Sequence, residues 1–520
     1  MKKPSEVAET TSLRKRYLYK LSGNLIGAFI NIVIQAIIPR ELGPKAYGNF
    51  NFLTNFFTQV VNFLEMGTST CFYTKLSQRP KESGLAVFYI YFTGFVFFCI
   101  SGFVFLSFLT LANEKFWPDQ AVLFIYLAAG LGFITWVVQV LNQMLDAYGL
   151  TTHSEFVRIL QKVLGMVLIV LLYLFHQLTL ANFFYYNFFI LFFLGVAFLW
   201  VIDRGGFFAQ QNWKLSREEV KKYSSEFYHY SHPLFIYVLV GLVVNILDRW
   251  LLQIYGGSIH QGFYSLAYQI GTICFLFTGA LTPLLLREFS ISFNKHDLPQ
   301  MRYLFRRYIP LLCSTTAYFS AFIVLQAHNV IYIMGGSKFD GAVKPVAIMA
   351  FYPIYQTYGQ LSGSVFYATG QTSLYRNIGV LFMLIGLPVT YFLIAPGDKF
   401  GLNLGSTGLA VKMVILQFIG VNVQLCFNTK FLGLSFRKYV GHQLFSVGCM
   451  LSCAAVATFL VNHTLGSYVN VVISFVLAGF FYTLLVGCLV YYKPVVFGLK
   501  SEDIRSLSEF FIFNKNKIKE

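Results

Sequence analysis

Long apolar runs, each close to the length of one bilayer crossing, follow one another from residue 17 to residue 492 with short polar interruptions. A helix spans the hydrocarbon core with about 20 apolar residues. On that measure the chain divides into about fourteen predicted spans: 17–38, 50–72, 85–111, 121–146, 156–176, 180–202, 230–250, 259–286, 308–334, 343–366, 375–395, 406–428, 439–462 and 469–492. Helices are the expected form, because lipid cannot satisfy open backbone groups. The pattern predicts an all-α integral membrane protein with short loops. The longest internal loop, about 203–229, leaves no extramembrane domain for separate chemistry.

Several predicted spans carry polar residues at helical spacing. The first holds Lys20, Asn24, Gly27, Asn31 and Gln35, three or four residues apart. The second holds Asn51, Asn55, Thr58, Asn62, Glu65 and Ser69, and the fourth Thr135, Gln139, Asn142, Asp146 and Gly149. The seventh repeats the seam more weakly with Gly241, Asn245, Asp248 and Arg249. Residues at such spacing share one helix face. Two explanations remain open: amides that join helices to one another, and a shared wet cavity. Amides suit sugar hydroxyls because they donate and accept. For the cavity the candidate substrate-binding residues are Lys20, Asn24, Asn31, Gln35, Arg40, Asn55, Asn62, Gln139, Asn142, Asn245, Arg249 and Lys412. Glu65, Asp146 and Asp248 are candidates for ion coupling or gating, and each is also placed to cap a helix or pair with a cation. Lys412 lies one or two turns inside its span, where snorkelling outward is the alternative.

Composition agrees with the pattern. The 520 residues are 56% hydrophobic and 12% charged, with mean hydropathy +0.62. With the N-terminus inside, 31 of the 39 Lys and Arg fall on cytoplasmic segments and seven on outer ones, with Lys412 in a span. That asymmetry follows the positive-inside rule and predicts an N-in, C-in chain. The net charge of +17 is then topology rather than a sign of nucleic acid. The first span is expected to be an uncleaved helix rather than a signal peptide. The eight cysteines show no metal-ligand spacing, so no metal is expected; no cofactor and no catalytic residue are expected either. Membrane lipids are expected partners.

The outer turn "PRELGPKAYGNFNF" (39–52) has a counterpart in "YGGSIHQGFYSLAY" (255–268). Aligning Gly48 with Gly262 gives an offset of 214 residues; aligning "LDAYGLTTHSEFVRIL" with "FYATGQTSLYRNIGV" at Gly149 and Gly370 gives 221. The near-equal offsets predict two related six-helix bundles, 17–202 and 230–428, joined by a cytoplasmic linker at 203–229. Two further helices follow at 429–492, flanked by a cytoplasmic N-terminus (1–16) and tail (493–520). Repeated halves around a central site are a usual transporter build.

The segments "RELGPKAYGNF", "LEMGTST", "ILDRWLLQIYGG…GFYSLAYQI" and "FYATGQTSLY" resemble the polysaccharide flippases of the MOP exporter superfamily over most of the chain. The resemblance implies a V-shaped pair of bundles. It also implies that a polyprenyl-pyrophosphate-linked oligosaccharide is moved from the inner to the outer leaflet of the bacterial cytoplasmic membrane by alternating access, alongside other polysaccharide-assembly membrane proteins. Two alternatives stay open: a membrane polymerase or glycosyltransferase acting on the same lipid-linked sugars, and a MATE-type small-molecule antiporter. The first would want acidic residues on larger outer loops. The second would want carboxylates where these seams carry mostly amides.

Overall fold

The computed structural model describes residues 13–80, 82–206, 215–232, 235–465 and 470–499. The side chains of 13–26 lie outside the described set, so the expected roles of Lys20 and Asn24 do too. So does most of the tail. Among the described residues every regular element is helical. Ten helices among the described residues are long and apolar enough to cross a membrane.

The chain forms two compact units, Met1–Gly262 and Phe263–Glu520. The first is built from α1 (Leu13–Glu65), α2 (Thr68–Gln78), α3 (Ser83–Leu109), the single turn α4 (Asn113–Phe116), α5 (Val122–Ala147), α6 (Thr151–Leu174), α7 (Leu180–Arg204), α8 (Arg217–Ser231) and most of α9 (Phe235–Ile273). Its core is aromatic. Trp117 is 1% exposed and meets Phe56, Phe57, Phe103 and Phe116. Such rings bury large area and favour tilted or offset contacts. Along α1, the apolar residues Phe52, Leu53, Phe56, Phe57 and Val61 form the buried face.

The second unit follows as α10 (Leu276–Asn294), α11 (Leu298–Leu325), α12 (Ala327–Met334), a 3-10 turn at Ser337–Ala342, α13 (Val343–Met349), α14 (Tyr352–Ala368), α15 (Thr372–Ile394), α16 (Gly405–Leu432), α17 (Phe436–Leu465) and α18 (Val471–Tyr492). Its core centres on Phe289, Phe305, Tyr358 and Tyr482.

The expected boundaries shift in five places. The outer turns at 39–49 and near 251–258 are not loops. Residues 13–65 form one helix interrupted only at Gly43, with φ 71° and ψ 169°. Residues 235–273 form another, interrupted only at Gly257, with φ 69° and ψ −175°. Those dihedrals are open to glycine and strongly disfavoured with a Cβ. Pro44 follows the first break at a position where no intrahelical N–H is needed. The spans expected at 259–286, 308–334 and 343–366 are each divided: the first continues from α9 into α10, the second breaks at Gln326, and the third comprises α13 and α14.

The linker contains α8, which the apolar pattern misses but a local signal carries. Ser216 and Glu219 form a reciprocal capping box, the S-x-x-E start of a helix. The inward face of α8 presents Tyr223 and Phe227 to Phe88. Polar contacts fix the same docking: Arg79 donates to Glu226 at 2.6 Å and pairs with Glu82 at 3.0 Å, and Glu82 also accepts from Lys222 at 3.0 Å and Tyr223 at 2.8 Å. Burial alone raises the carboxyl of Glu82, but these hydrogen bonds and the Arg79 charge bring it below its ordinary range.

Candidate functional site

The polar seams lie on α1, α5 and α9 in the first unit. Asn31, Asn62, Gln139 and Asn245 are on open helix faces, not packed between helices. Gln35, Asn55 and Asn142 are half-buried. Their amide oxygens are covered by protein and accept no hydrogen bond among the described residues. Gln143, which the seam pattern did not include, has the same orphan oxygen. A covered acceptor without a donor costs about 1–3 kcal/mol, so these helices carry standing demand for water or a ligand hydroxyl.

Other seam residues are already engaged. Asn51 donates to the Tyr47 carbonyl at 2.7 Å and Asn245 to that of Gly241 at 2.8 Å. Thr58 and Thr135 bond back to their own helices. The Glu65 carboxylate accepts from the Ser69 amide at 3.0 Å, capping the first turn of α2. Asp146 is half-buried and Asp248 buried, while Arg40 is exposed. Arg249 donates to Gln261 Oε1 at 3.2 Å, and Gln261 Nε2 donates to the Arg249 carbonyl. Gln261 is wholly buried and lies beyond the Gly257 break, so it braces the two segments of α9.

The outer turns meet within the first unit. A Cβ on Gly48 would run into the Ser258 carbonyl, and a Cβ on Gly262 into that of Pro44. These contacts are reciprocal: Pro44 and Ser258, like Gly48 and Gly262, are separated by the offset of 214. So are Gly43 and Gly257, with their shared dihedrals. The same register pairs Gly27 with Gly241, Asn31 with Asn245 and Gln35 with Arg249. It was readable in the sequence once the seams are aligned as well as the turns. At the offset of 221, Gly149 (φ 76°) and Gly370 (φ 72°) each end a helix in the same way. Leu150 N–H donates to the Leu145 carbonyl at 2.8 Å, and Gln371 N–H to that of Phe366 at 2.9 Å. This is the Schellman closure, which calls for a left-handed residue after the cap.

The segment between α3 and α5 also reaches α9 and α1. Trp250 Nε1 donates to the Lys115 carbonyl at 2.7 Å, Gln253 Nε2 to that of Pro118 at 3.3 Å, and Gln120 Nε2 to Asn49 Oδ1 at 3.1 Å. Leu111 and Asp119 hold positive φ in that segment. Trp117 anchors it in the core.

In the second unit Lys412 is 4% exposed, and its Cε and Nζ fall 3.0 and 3.3 Å from where a Gly386 Cβ would stand. Nearby helices carry polar pairs the sequence reading missed. Gln417 donates to Gln356 at 2.6 Å, Gln443 to Asn422 at 3.3 Å, and Asn428 to Ser362 at 2.7 Å. These join α14, α16 and α17 as interhelical bonds. No metal-ligand cluster occurs among the described residues.

Two comparisons connect this geometry to known proteins, while no curated protein sequence matches the chain. The fold is similar to a solved structure described as the lipid II flippase MurJ in an inward closed conformation. That likeness has TM-score 0.65 at 14% identity, over 92% of this chain and 99% of that one. It is also similar to an inward-facing multidrug resistance MATE family transporter of the MOP superfamily, with TM-score 0.60 at 14% identity, over 81% and 96%. A MOP superfamily transporter from Pyrococcus furiosus is similar with TM-score 0.53 at 14% identity, over 81% and 96%. At these identities the likeness is one of fold. The family model described as "Polysaccharide biosynthesis protein" matches residues 13–287, more than half of the chain. The chain is therefore a multi-pass membrane protein that belongs to the polysaccharide biosynthesis protein family.

Proposed function

We propose that this protein is a flippase. It carries a polyprenyl-pyrophosphate-linked oligosaccharide from the inner to the outer leaflet of the bacterial cytoplasmic membrane by alternating access, and makes or breaks no covalent bond. The observation that carries this reading is the set of orphan amide oxygens on Gln35, Asn55 and Asn142, in a chain of the polysaccharide biosynthesis family. Sugar hydroxyls are the donors those oxygens lack. Amides also bind them without the full desolvation penalty of a charge.

The repeat supports two related six-helix bundles followed by two helices, and the charge asymmetry supports the N-in, C-in orientation. Matched dihedrals at Gly43 and Gly257, and matched helix ends at Gly149 and Gly370, support the register. The oligosaccharide follows the seams of α1, α5 and α9. The lipid tail remains in the bilayer. Lys20, Asn24, Arg40, Arg249 and Lys412 complete the proposed substrate-facing set. Asp146 and Asp248 are the proposed gating carboxylates, whereas Glu65 is occupied as a cap.

The test is translocation in proteoliposomes. Replacing Gln35, Asn55 and Asn142 together by Leu keeps their approximate volume and removes the acceptors. Transfer of the lipid-linked sugar is expected to fall at least tenfold, with the protein still folded. Undiminished transfer refutes the assignment. A MATE-type antiporter would export a small cation with the lipid-linked sugar left unmoved. A polymerase would lengthen the sugar.

A further inference from the structure

Among the described residues of the first unit, one cation is out of place. Lys162 is the twelfth residue of the 24-residue helix α6, whose composition suits a membrane span. It is half-buried and makes no hydrogen bond or ion pair among the described residues. A lysine near a helix end normally extends its amine to the interface. This one does not. Its ammonium occupies the position where Gly27 of α1 would carry a Cβ, with Cε 2.8 Å and Cδ 2.9 Å from the same point. Gly27 is part of the polar seam of α1, and its missing side chain is the space the lysine head fills.

The neighbouring charges do not neutralise it. One turn earlier on α6, Arg158 is held by Glu155 at 2.8 Å, and Glu155 is buried. That pair cancels itself and leaves Lys162 uncompensated among the described residues. An ionisable group inside a span without a partner marks a path or a binding site. Its natural partner is an anion that arrives from outside the protein.

We propose that Lys162, seated in the gap at Gly27, is a specificity residue that recognises the phosphate-bearing part of the substrate. The inference rests on the flippase reading and names the residue that meets the anionic joint between lipid and sugar. Gly27 acts as a positioning residue: a methyl group there displaces the ammonium from the seam. Arg158 is shielded by Glu155 and contributes little to the same anion.

The experiment uses the full chain in vesicles with farnesyl pyrophosphate as the probe and farnesol as the phosphate-free control. Lys162→Met keeps most of the length of the side chain and removes its charge. It is expected to weaken farnesyl pyrophosphate binding at least tenfold while farnesol binding is unchanged. Gly27→Ala should weaken it similarly, and adding Gly27→Ala to Lys162→Met should cost nothing more, because both act on one ammonium. The double variant also separates recognition from a folding defect, since a structural fault at Gly27 adds to the loss. Binding within twofold of wild type in Lys162→Met overturns the proposal, as does an additive double variant. An effect seen only in vesicles containing phosphatidylglycerol assigns the ammonium to bilayer headgroups and likewise overturns it. If Lys162-dependent binding persists but the wild type moves no lipid-linked sugar, the flippase reading fails and the anion site stands.

Discussion

The same substitution at two glycines of α9 should shift stability in opposite directions. Gly257 has φ 69° and ψ −175°, and a Cβ added there meets no atom within 4 Å. Its replacement by Ala therefore tests backbone strain with no steric contribution. Holding a non-glycine residue in that region costs about 1–3 kcal/mol. Gly241 lies in the regular helical part of α9, and a Cβ there also meets nothing within 4 Å. There Ala should gain about 0.5–1 kcal/mol from reduced chain entropy and better helix propensity. The two variants should thus differ by roughly 1.5–4 kcal/mol. For a unit of about 260 residues that corresponds to several degrees in unfolding midpoint. Tryptophan fluorescence during heating in one detergent, at a fixed scan rate, reads the difference, because Trp117, Trp136 and Trp250 lie in the same unit. Scan rate must be fixed because such unfolding is commonly irreversible. Midpoints shifted in the same direction, or Gly257→Ala indistinguishable from wild type, would refute the account of the break as a glycine-only conformation.

Gly48→Ala and Gly262→Ala should each cost about 1–3 kcal/mol, since each drives a methyl into a backbone carbonyl. Their combination should cost less than the sum, which a double-mutant cycle measures. Trp250→Phe removes the donor to the Lys115 carbonyl and should cost about 0.5–1.5 kcal/mol; faster amide hydrogen exchange across residues 113–120 is the readout. The docking of α8 should weaken in acid. Glu82 is held below its ordinary value in the folded protein. Its contribution is therefore complete above the unfolded carboxyl value of about 4.3 and is lost as pH falls through the lower folded one. Partial exposure limits the effect to about 1 kcal/mol. Glu82→Gln should abolish that pH dependence in limited proteolysis of the 205–232 segment, and an unchanged acid profile counts against the network.

The membrane-spanning character of the chain was legible because bilayer thickness imposes one repeating length, and most apolar runs became helices at the expected places. The outer turns were harder. Pro39, Gly43 and Pro44 are all helix breakers by propensity, and the pattern treated them as a loop. In the structure only Gly43 leaves helical geometry: Pro44 opens the segment after the break, where no intrahelical N–H is needed, whereas Pro39 lies inside the segment before it and gives up one helical hydrogen bond without ending the helix. The split at Ala350 lies within an apolar run and leaves no mark in hydropathy, whereas the split at Gln326 falls on a short polar cluster with His328 and Asn329 that the span-length reading passed over. The seams on α1 and α5 were readable from spacing, yet spacing says nothing about which amides spend their hydrogen bonds on their own helix. Asn51 and Asn245 do so, whereas Asn55 and Asn142 keep a free acceptor. Lys162 counts in the sequence as one more inside-facing positive residue. Its significance depends on Gly27, 135 positions earlier, and such a pairing is visible only when α1 and α6 are packed together.

The single-residue breaks at Gly43 and Gly257 have a practical consequence for mapping sidedness. A protease or a sugar-transferring enzyme needs several extended residues to seat its site, and neither break offers them. Reporter epitopes inserted there would disrupt two long helices rather than decorate a surface. The segment 395–404 is a better place for such a tag: Phe400 is 88% exposed, and only a short 3-10 turn at Gly397–Lys399 stands between α15 and α16.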